Sequence, residues 1–186
     1  GGLPAGYTPQ LIAVTPSGIA GQRAALFSGL AAGAGLVNFF GHAGLDRLSP
    51  EGLLTTADVP SMANGPRLPL LTALTCDVNR FDVPGIRPLG ELLTLQPGGG
   101  AIAVWSSSGL SVHPEGKQLG QAFTYALANP ANLRLGDAVQ QALRRYAAIP
   151  GLAETLNLYT LLGDPAILLK PVTVPPGASA TSTVRE

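Results

Sequence analysis

Cysteine, methionine and tryptophan occur once each in the 186 residues, and histidine twice. A single thiol excludes an internal disulfide framework and any metal site built from several cysteines. Charge is equally sparse. Only 12% of the residues are Asp, Glu, Lys or Arg, and the 11 acids and 11 bases cancel to a net charge of +0. Lysine is confined to Lys117 and Lys170, with no basic cluster to grip a phosphate backbone, which argues against a nucleic-acid binder. No run of about 18 apolar residues encodes a membrane-spanning helix. No charged segment precedes an apolar stretch at the start, so the sequence carries no signal peptide and its origin stays hidden. With 46% hydrophobic residues and no net charge, the chain has the material for a packed core and lacks the signature of disorder. The 24 Gly and 17 Pro make it rich in loops. A compact, loop-rich domain with one thiol remains.

Short apolar runs alternate with helical patterns. Leu11 to Val14, Leu36 to Phe40, Leu68 to Thr75, Ala101 to Trp105 and Ala166 to Leu169 are nearly continuous and bounded by Gly, Pro or polar residues, as expected of strands buried on both faces. Ile19 to Ala32 is helical in composition and stops at Gly33 and Gly35. Leu119, Ala122, Phe123, Ala126 and Leu127 mark one face of a helix, and Leu135, Val139, Ala142, Leu143 and Tyr146 mark another. Buried strands alternating with amphipathic helices predict an α/β domain with a mostly parallel sheet. Residues 171–186, rich in Pro, Ser, Thr and Ala, read as a linker or tail after a domain spanning residues 1–170.

In such sheets chemistry collects at the carboxyl ends of the strands. The second run leads into Gly41-His42-Ala43-Gly44, and the third into Cys76-Asp77-Val78-Asn79. If the two strands are parallel neighbours, their ends lie roughly 5 Å apart. The only Cys and one of the two His then share a sheet edge, the pairing that nucleophilic thiol catalysis uses. A buried structural Cys and a turn His are the competing reading, and spacing alone does not choose between them. The other polar residues read as structural. Asp77 is expected to face solvent, Glu91 to support loops from a helix, Asp164 to tie the turn before the last strand, and His113 to lie exposed in a loop. Two isolated His give no metal-ligand spacing, and no cofactor is implied.

Five segments in order resemble the gingipain-type cysteine peptidases of the caspase-like clan. Gly35 to His42 (GLVNFFGH) is similar to their strand and GHG loop, and Leu70 to Phe81 (LLTALTCDVNRF) to their nucleophile segment. Leu89 to Leu93 (LGELL) is similar to the helix that follows, Gly99 to Ser111 (GGAIAVWSSSGLS) to the next strand and loop, and Leu161 to Ala166 (LLGDPA) to the terminal signature. The resemblance implies a caspase-like three-layer sandwich, a mostly parallel sheet with helices on both faces. It further implies a cysteine endopeptidase acting on a peptide or protein substrate, secreted or at a bacterial cell surface. Carried over by position, Cys76 would be the nucleophile and His42 the general base. The backbone N–H groups of Ala43 and Cys76 would form the oxyanion hole, and Trp105, Ser106 and Ser107 would wall the substrate pocket. The family has Gly after the His where this chain has Ala43, a residue penalised if that position needs positive φ. A caspase-like domain of a bacterial multidomain regulator and a non-catalytic or transpeptidase-like relative in protein secretion are the alternatives. The family's acid that orients the His precedes the GHG loop, yet residues 1–41 contain no Asp or Glu. Either a backbone carbonyl orients His42, as in caspases, or, as the first residue other than Met and the linker-like tail favour, the chain is the later part of a peptidase domain, partnered by an upstream segment.

Overall fold

The computed structural model describes residues 8–129, 131–132, 134–149 and 153–169. In chain order they form helix α1 (Ile19–Ala32), strand β1 (Leu36–Phe40), three two-residue strands β2 (Ala43–Gly44), β3 (Arg47–Leu48) and β4 (Leu54–Thr55), and strand β5 (Leu70–Leu74). Helix α2 (Leu89–Leu95), strand β6 (Ala103–Ser107), helices α3 (His113–Leu127), α4 (Leu135–Ala147) and α5 (Ala153–Leu158), and strand β7 (Tyr159–Gly163) follow. The main sheet has the order β1-β5-β6-β7; β1, β5 and β6 are parallel, and β7 runs antiparallel to β6.

Strand alternation sorts the core into two layers. From β5, Leu71 and Ala73 face one way with Val37 and Phe39 of β1 and Val104 of β6, and meet Leu26 and Leu30 of α1 and Leu89 and Leu93 of α2. Leu70 and Leu74, with Ala103 and Trp105 of β6, face the other way onto Leu119, Phe123 and Ala126 of α3 and Leu135, Ala142 and Tyr146 of α4. Helices therefore cover both faces, and the three-layer α/β sandwich with a mostly parallel sheet is the architecture found. The α1 stop is a Schellman turn: Gly33, at φ 93°, donates to the Leu30 carbonyl, and Ala34 donates to that of Gly29. Helix α3 lies close on β5 because a Cβ at Gly120 would come within 2.1 Å of Leu74 Cδ1.

Two expected strands are not strands. Residues 11–14 form no ladder; Ile12 and Val14 instead pack onto the α1/α2 side of the core from an arm in front of α1. Ala166 to Leu169 contributes one isolated bridge, Arg134 to Leu168. The last strand is β7, whose half-buried pattern hides it from a search for continuous apolar runs. The expected tail, residues 171–186, lies outside the described residues.

Candidate active site

Strands β1 and β5 are parallel neighbours with Phe40 opposite Leu74. His42 and Cys76 each stand two residues past that matched pair, so the chain leaves the sheet at one level in both places, on strands about 4.8 Å apart.

On the histidine side the chain turns at Gly41 into the β2–β3–β4 hairpins. The Ser49 N–H donates to the His42 carbonyl at 3.0 Å. Antiparallel ladders alternate hydrogen-bonded and unbonded pairs, so Ala43, opposite Leu48, directs its N–H away from β3. Among the described residues the non-glycine positions at positive φ are Ser49 and Asp77. Ala43 is not one of them, so its methyl group carries no backbone strain. The hairpins are strapped to α1 by Arg23, which donates to the Gly52 and Leu53 carbonyls and to both carboxylate oxygens of Asp58, at 2.6 and 3.1 Å. Burial alone would raise the Asp58 carboxyl, but hydrogen bonds from Arg23 and Thr55 hold it below the usual range. The Leu89 N–H, donating to the Leu45 carbonyl at 2.7 Å, ties the same loop to α2.

On the cysteine side the turn is held from beneath. The buried Ser107 hydroxyl accepts the Asp77 N–H at 3.1 Å and reaches the Thr75 and Gly109 carbonyls at 2.5 and 2.9 Å. Asn79 is fully buried; its amide donates to Val104 O and Thr160 O at 3.1 and 2.9 Å, stitching the turn to β6 and β7. Asp77, at φ 62°, does not face solvent as expected. Its left-handed turn folds the carboxylate in, leaving 15% of the side chain exposed and Oδ1 3.6 Å from Arg80.

A third element meets both sides. In the loop between β6 and α3, the Ser111 N–H donates to Cys76 Sγ at 3.3 Å, and the thiol reaches the Ser111 carbonyl at 3.4 Å. The Ser111 hydroxyl is 3.1 Å from that of Tyr159. Burial first, and the neighbouring Cys76 and Tyr146, push the Tyr159 phenol up, with the Ser111 hydrogen bond opposing; it is a neutral hydroxyl at neutral pH. Two residues on, His113 is not an exposed loop residue. It opens α3, half-buried, its ring centroid 4.5 Å from that of His42 and 5.2 Å from that of Phe40. The signal for this was present: Pro114 and Glu115 are a helix-start pattern. Glu115 accepts hydrogen bonds from Tyr146 and Thr155, latching the start of α3 to α4 and α5.

The pocket residues sit differently. Trp105 is 0% exposed and packs between Phe123 and Tyr159, while Ser106 donates to the Ala73 carbonyl at 2.7 Å. Since β6 lies inside the sheet with helices on both faces, the side chains of Trp105, Ser106 and Ser107 all serve the core and the β5 backbone, and none reaches an open surface. Glu91 forms an exposed ion pair with Arg87 at 2.8 Å. Asp164 accepts the Ala166 N–H at 2.8 Å, tying a turn that follows the last strand instead of preceding it. No three His, Cys, Asp or Glu residues converge as a metal site among the described residues.

The fold that carries these residues is found in known proteins. The structure superposes on the Arg-specific cysteine proteinase gingipain R with a TM-score of 0.71 at 20% identity, covering 89% of this chain and 38% of that one. The complex of the pro- and mature domains of the Porphyromonas gingivalis protein gives 0.72 at 18% identity, over 89% and 38%. A further protease structure gives 0.63 at 16% identity, over 84% and 41%. At these identities the likeness concerns the fold, and the chain spans about two fifths of the length of these proteins. No curated protein matches the sequence. The family model for peptidase family C25, however, aligns with residues 4–170, taking in both strand ends and the turns that hold His42 and Cys76. Across nearly its whole length, then, the chain belongs to peptidase family C25, the gingipain-type cysteine peptidases.

Proposed function

We propose that this chain carries the catalytic half of a cysteine endopeptidase, with Cys76 as nucleophile and His42 as general base. The observation that carries the reading is the register: two residues past the matched pair Phe40 and Leu74, one parallel strand delivers an imidazole and its neighbour a thiol. In the reaction His42 takes the thiol proton and Cys76 Sγ attacks the scissile carbonyl carbon. In this reading the tetrahedral oxygen is met by the backbone N–H groups of Ala43 and Cys76. Collapse breaks the C–N bond, His42 hands its proton to the departing amine, and a thioester to Cys76 remains. Water, deprotonated by His42, then cleaves the thioester and restores the thiol.

The substrate class is a peptide or protein. Gingipain R is described as Arg-specific. Here Asp77, the acid nearest the nucleophile in sequence, is turned toward Arg80, which supports a different preference. Among the described residues strand β1 has one neighbour, β5, and the side facing away from α1 leaves Phe40 49% exposed. An upstream segment of the same peptidase domain pairing with this edge is the partner that best fits, as proteins seldom leave such edges bare. No described helix is long and apolar enough to cross a membrane, and secretion or surface display is the setting the family suggests.

Labelling with a peptidyl acyloxymethyl ketone tests the dyad. The expected result is covalent modification at Cys76, abolished in Cys76→Ala and strongly reduced in His42→Ala, with folding retained in both. Labelling that persists at full rate without His42, or none in a chain supplied with its upstream segment, would establish the non-catalytic alternative.

A further inference from the structure

We propose that His113 is a positioning residue of the site, its ring serving as the platform that holds the His42 imidazole in line with Cys76; this rests on the dyad reading above. A catalytic imidazole needs a third group to fix its orientation. Among the described residues no carboxylate or carbonyl accepts a hydrogen bond from the His42 ring, and the orienting acid that the family places before the loop is not among residues 1–41. What the ring does meet is His113, at a centroid distance of 4.5 Å and an interplanar angle of 50°. Tilted and edge-on pairs at such distances are favourable for aromatic rings, and Phe40 also meets the His113 ring edge-on at 5.2 Å and 76°.

A platform works only if it is rigid, and this one is fixed at both ends. Before it, Ser111 is held by Tyr159 and by Cys76 itself. After it, Glu115 is latched by Tyr146 and Thr155. Below it, Gly116 lets α3 settle against Tyr159, whose hydroxyl would lie 3.1 Å from an added Cβ. Residues 111 and 113 can be at most about 7 Å apart along the chain. One braced segment therefore touches the sulfur at one end and the imidazole at the other, and it sets the geometry of the pair. Phenylalanine could do the same work, because packing is what the platform supplies.

The test is the rate at which iodoacetamide alkylates Cys76 in the 186-residue chain, read by intact mass at about pH 6.5, where an ordinary thiol is mostly protonated, and at about pH 10, where it ionises unaided. At the lower pH, His113→Ala is expected to slow alkylation about three- to tenfold, the factor that one aromatic pair is worth. His113→Phe should stay within about twofold of the parent, and at the higher pH all three should agree. In a His42→Ala background, His113→Ala should have no further effect. The proposal is overturned if His113→Ala matches the parent at the lower pH, if His113→Phe falls as far as His113→Ala, or if the loss persists without His42. A parent chain no faster than His42→Ala, also when supplied with its upstream segment, would overturn the dyad itself, and that result differs from all the others.

Discussion

Asn79 offers the most exacting test of how the nucleophile turn is held. Its side chain is 0% exposed, its amide spans the carbonyls of Val104 on β6 and Thr160 on β7, and its own N–H donates to the Ser107 carbonyl at 3.0 Å. Asn79→Ala strips a donor from the buried Val104 carbonyl and the part-buried Thr160 carbonyl, the second at the lower end of the cost, and leaves a small void. Each unsatisfied group costs about 1–3 kcal/mol, so a loss of about 2–4 kcal/mol is expected, a large part of a typical stability of about 5–15 kcal/mol. For a domain of this size that is a fall of roughly 5–15 °C in Tm. The same spot can be reached from the other side. A Cβ on Gly90 would sit 1.8 Å from Asn79 Oδ1 and 3.0 Å from the Val78 carbonyl, so Gly90→Ala is expected to destabilise by about 1–3 kcal/mol through overpacking. Because the methyl group enters space that Asn79→Ala vacates, the double variant should lose less than the two single losses combined, with a coupling of about 0.5–2 kcal/mol. Urea denaturation of the four chains measures this directly. Additive losses, or an Asn79→Ala change below about 0.5 kcal/mol, would refute the claim that this side chain stitches the turn to the sheet.

Tyr159→Phe removes the hydroxyl that holds Ser111. It is expected to cost little stability but to slow alkylation of Cys76 about two- to fivefold, roughly one neutral hydrogen bond; an unchanged rate would mean that the loop holds itself. Asp58→Asn should destabilise at pH 7 by about 1–3 kcal/mol, since the hydrogen bonds lost are charge-assisted. The folded carboxyl lies below its unfolded value, so this stability is present above about pH 4 and fades as pH falls through the folded value. The two chains should therefore converge in stability once pH has fallen through the folded value, and a difference independent of pH would refute the Arg23 pairing. Gly120→Ala should destabilise by about 1–3 kcal/mol by driving α3 off Leu74, seen as a lowered Tm. Ala43→Gly should leave kcat/KM within about twofold, because Ala43 needs no positive φ; a large gain would show that the methyl group obstructs the oxyanion hole.

Much of the frame was legible in the residues. Leu36 to Phe40 is a strand, Ile19 to Ala32 is a helix stopped by Gly33, and of the periodic residues of α3 and α4 all are buried except Leu127 and Leu143, which are half-buried, because in each case local pattern and tertiary packing agree. Where they part, sequence reasoning failed. Tyr159 to Gly163 is half-buried at the sheet's end, so its apolar signal is weaker than that of the Ala166 to Leu169 run, which makes a single bridge. Trp105 follows a strand's own parity: two residues from Ala103, it faces the same helices and not a cleft. The placement of His42 and Cys76 at neighbouring strand ends could be anticipated from two apolar runs. The loop joining them could not, because Ser111 acts through its backbone and His113 through a contact set by the pitch of α3 against β5.

The two halves of the site are not equally stiff. Cys76 leaves β5, which is hydrogen-bonded on both sides, whereas His42 leaves β1, which among the described residues has β5 alone beside it. Local opening free energy follows such bracing. Amide exchange should thus be slow through Leu71 to Leu74 and faster through Val37 to Phe40, making the imidazole the compliant partner and the thiol the fixed one. A strand added at the β1 edge would then act on His42 without touching Cys76: by damping β1 it would narrow the spread of imidazole positions. Occupancy of that edge, several ångströms from any reacting atom, becomes a dial on turnover.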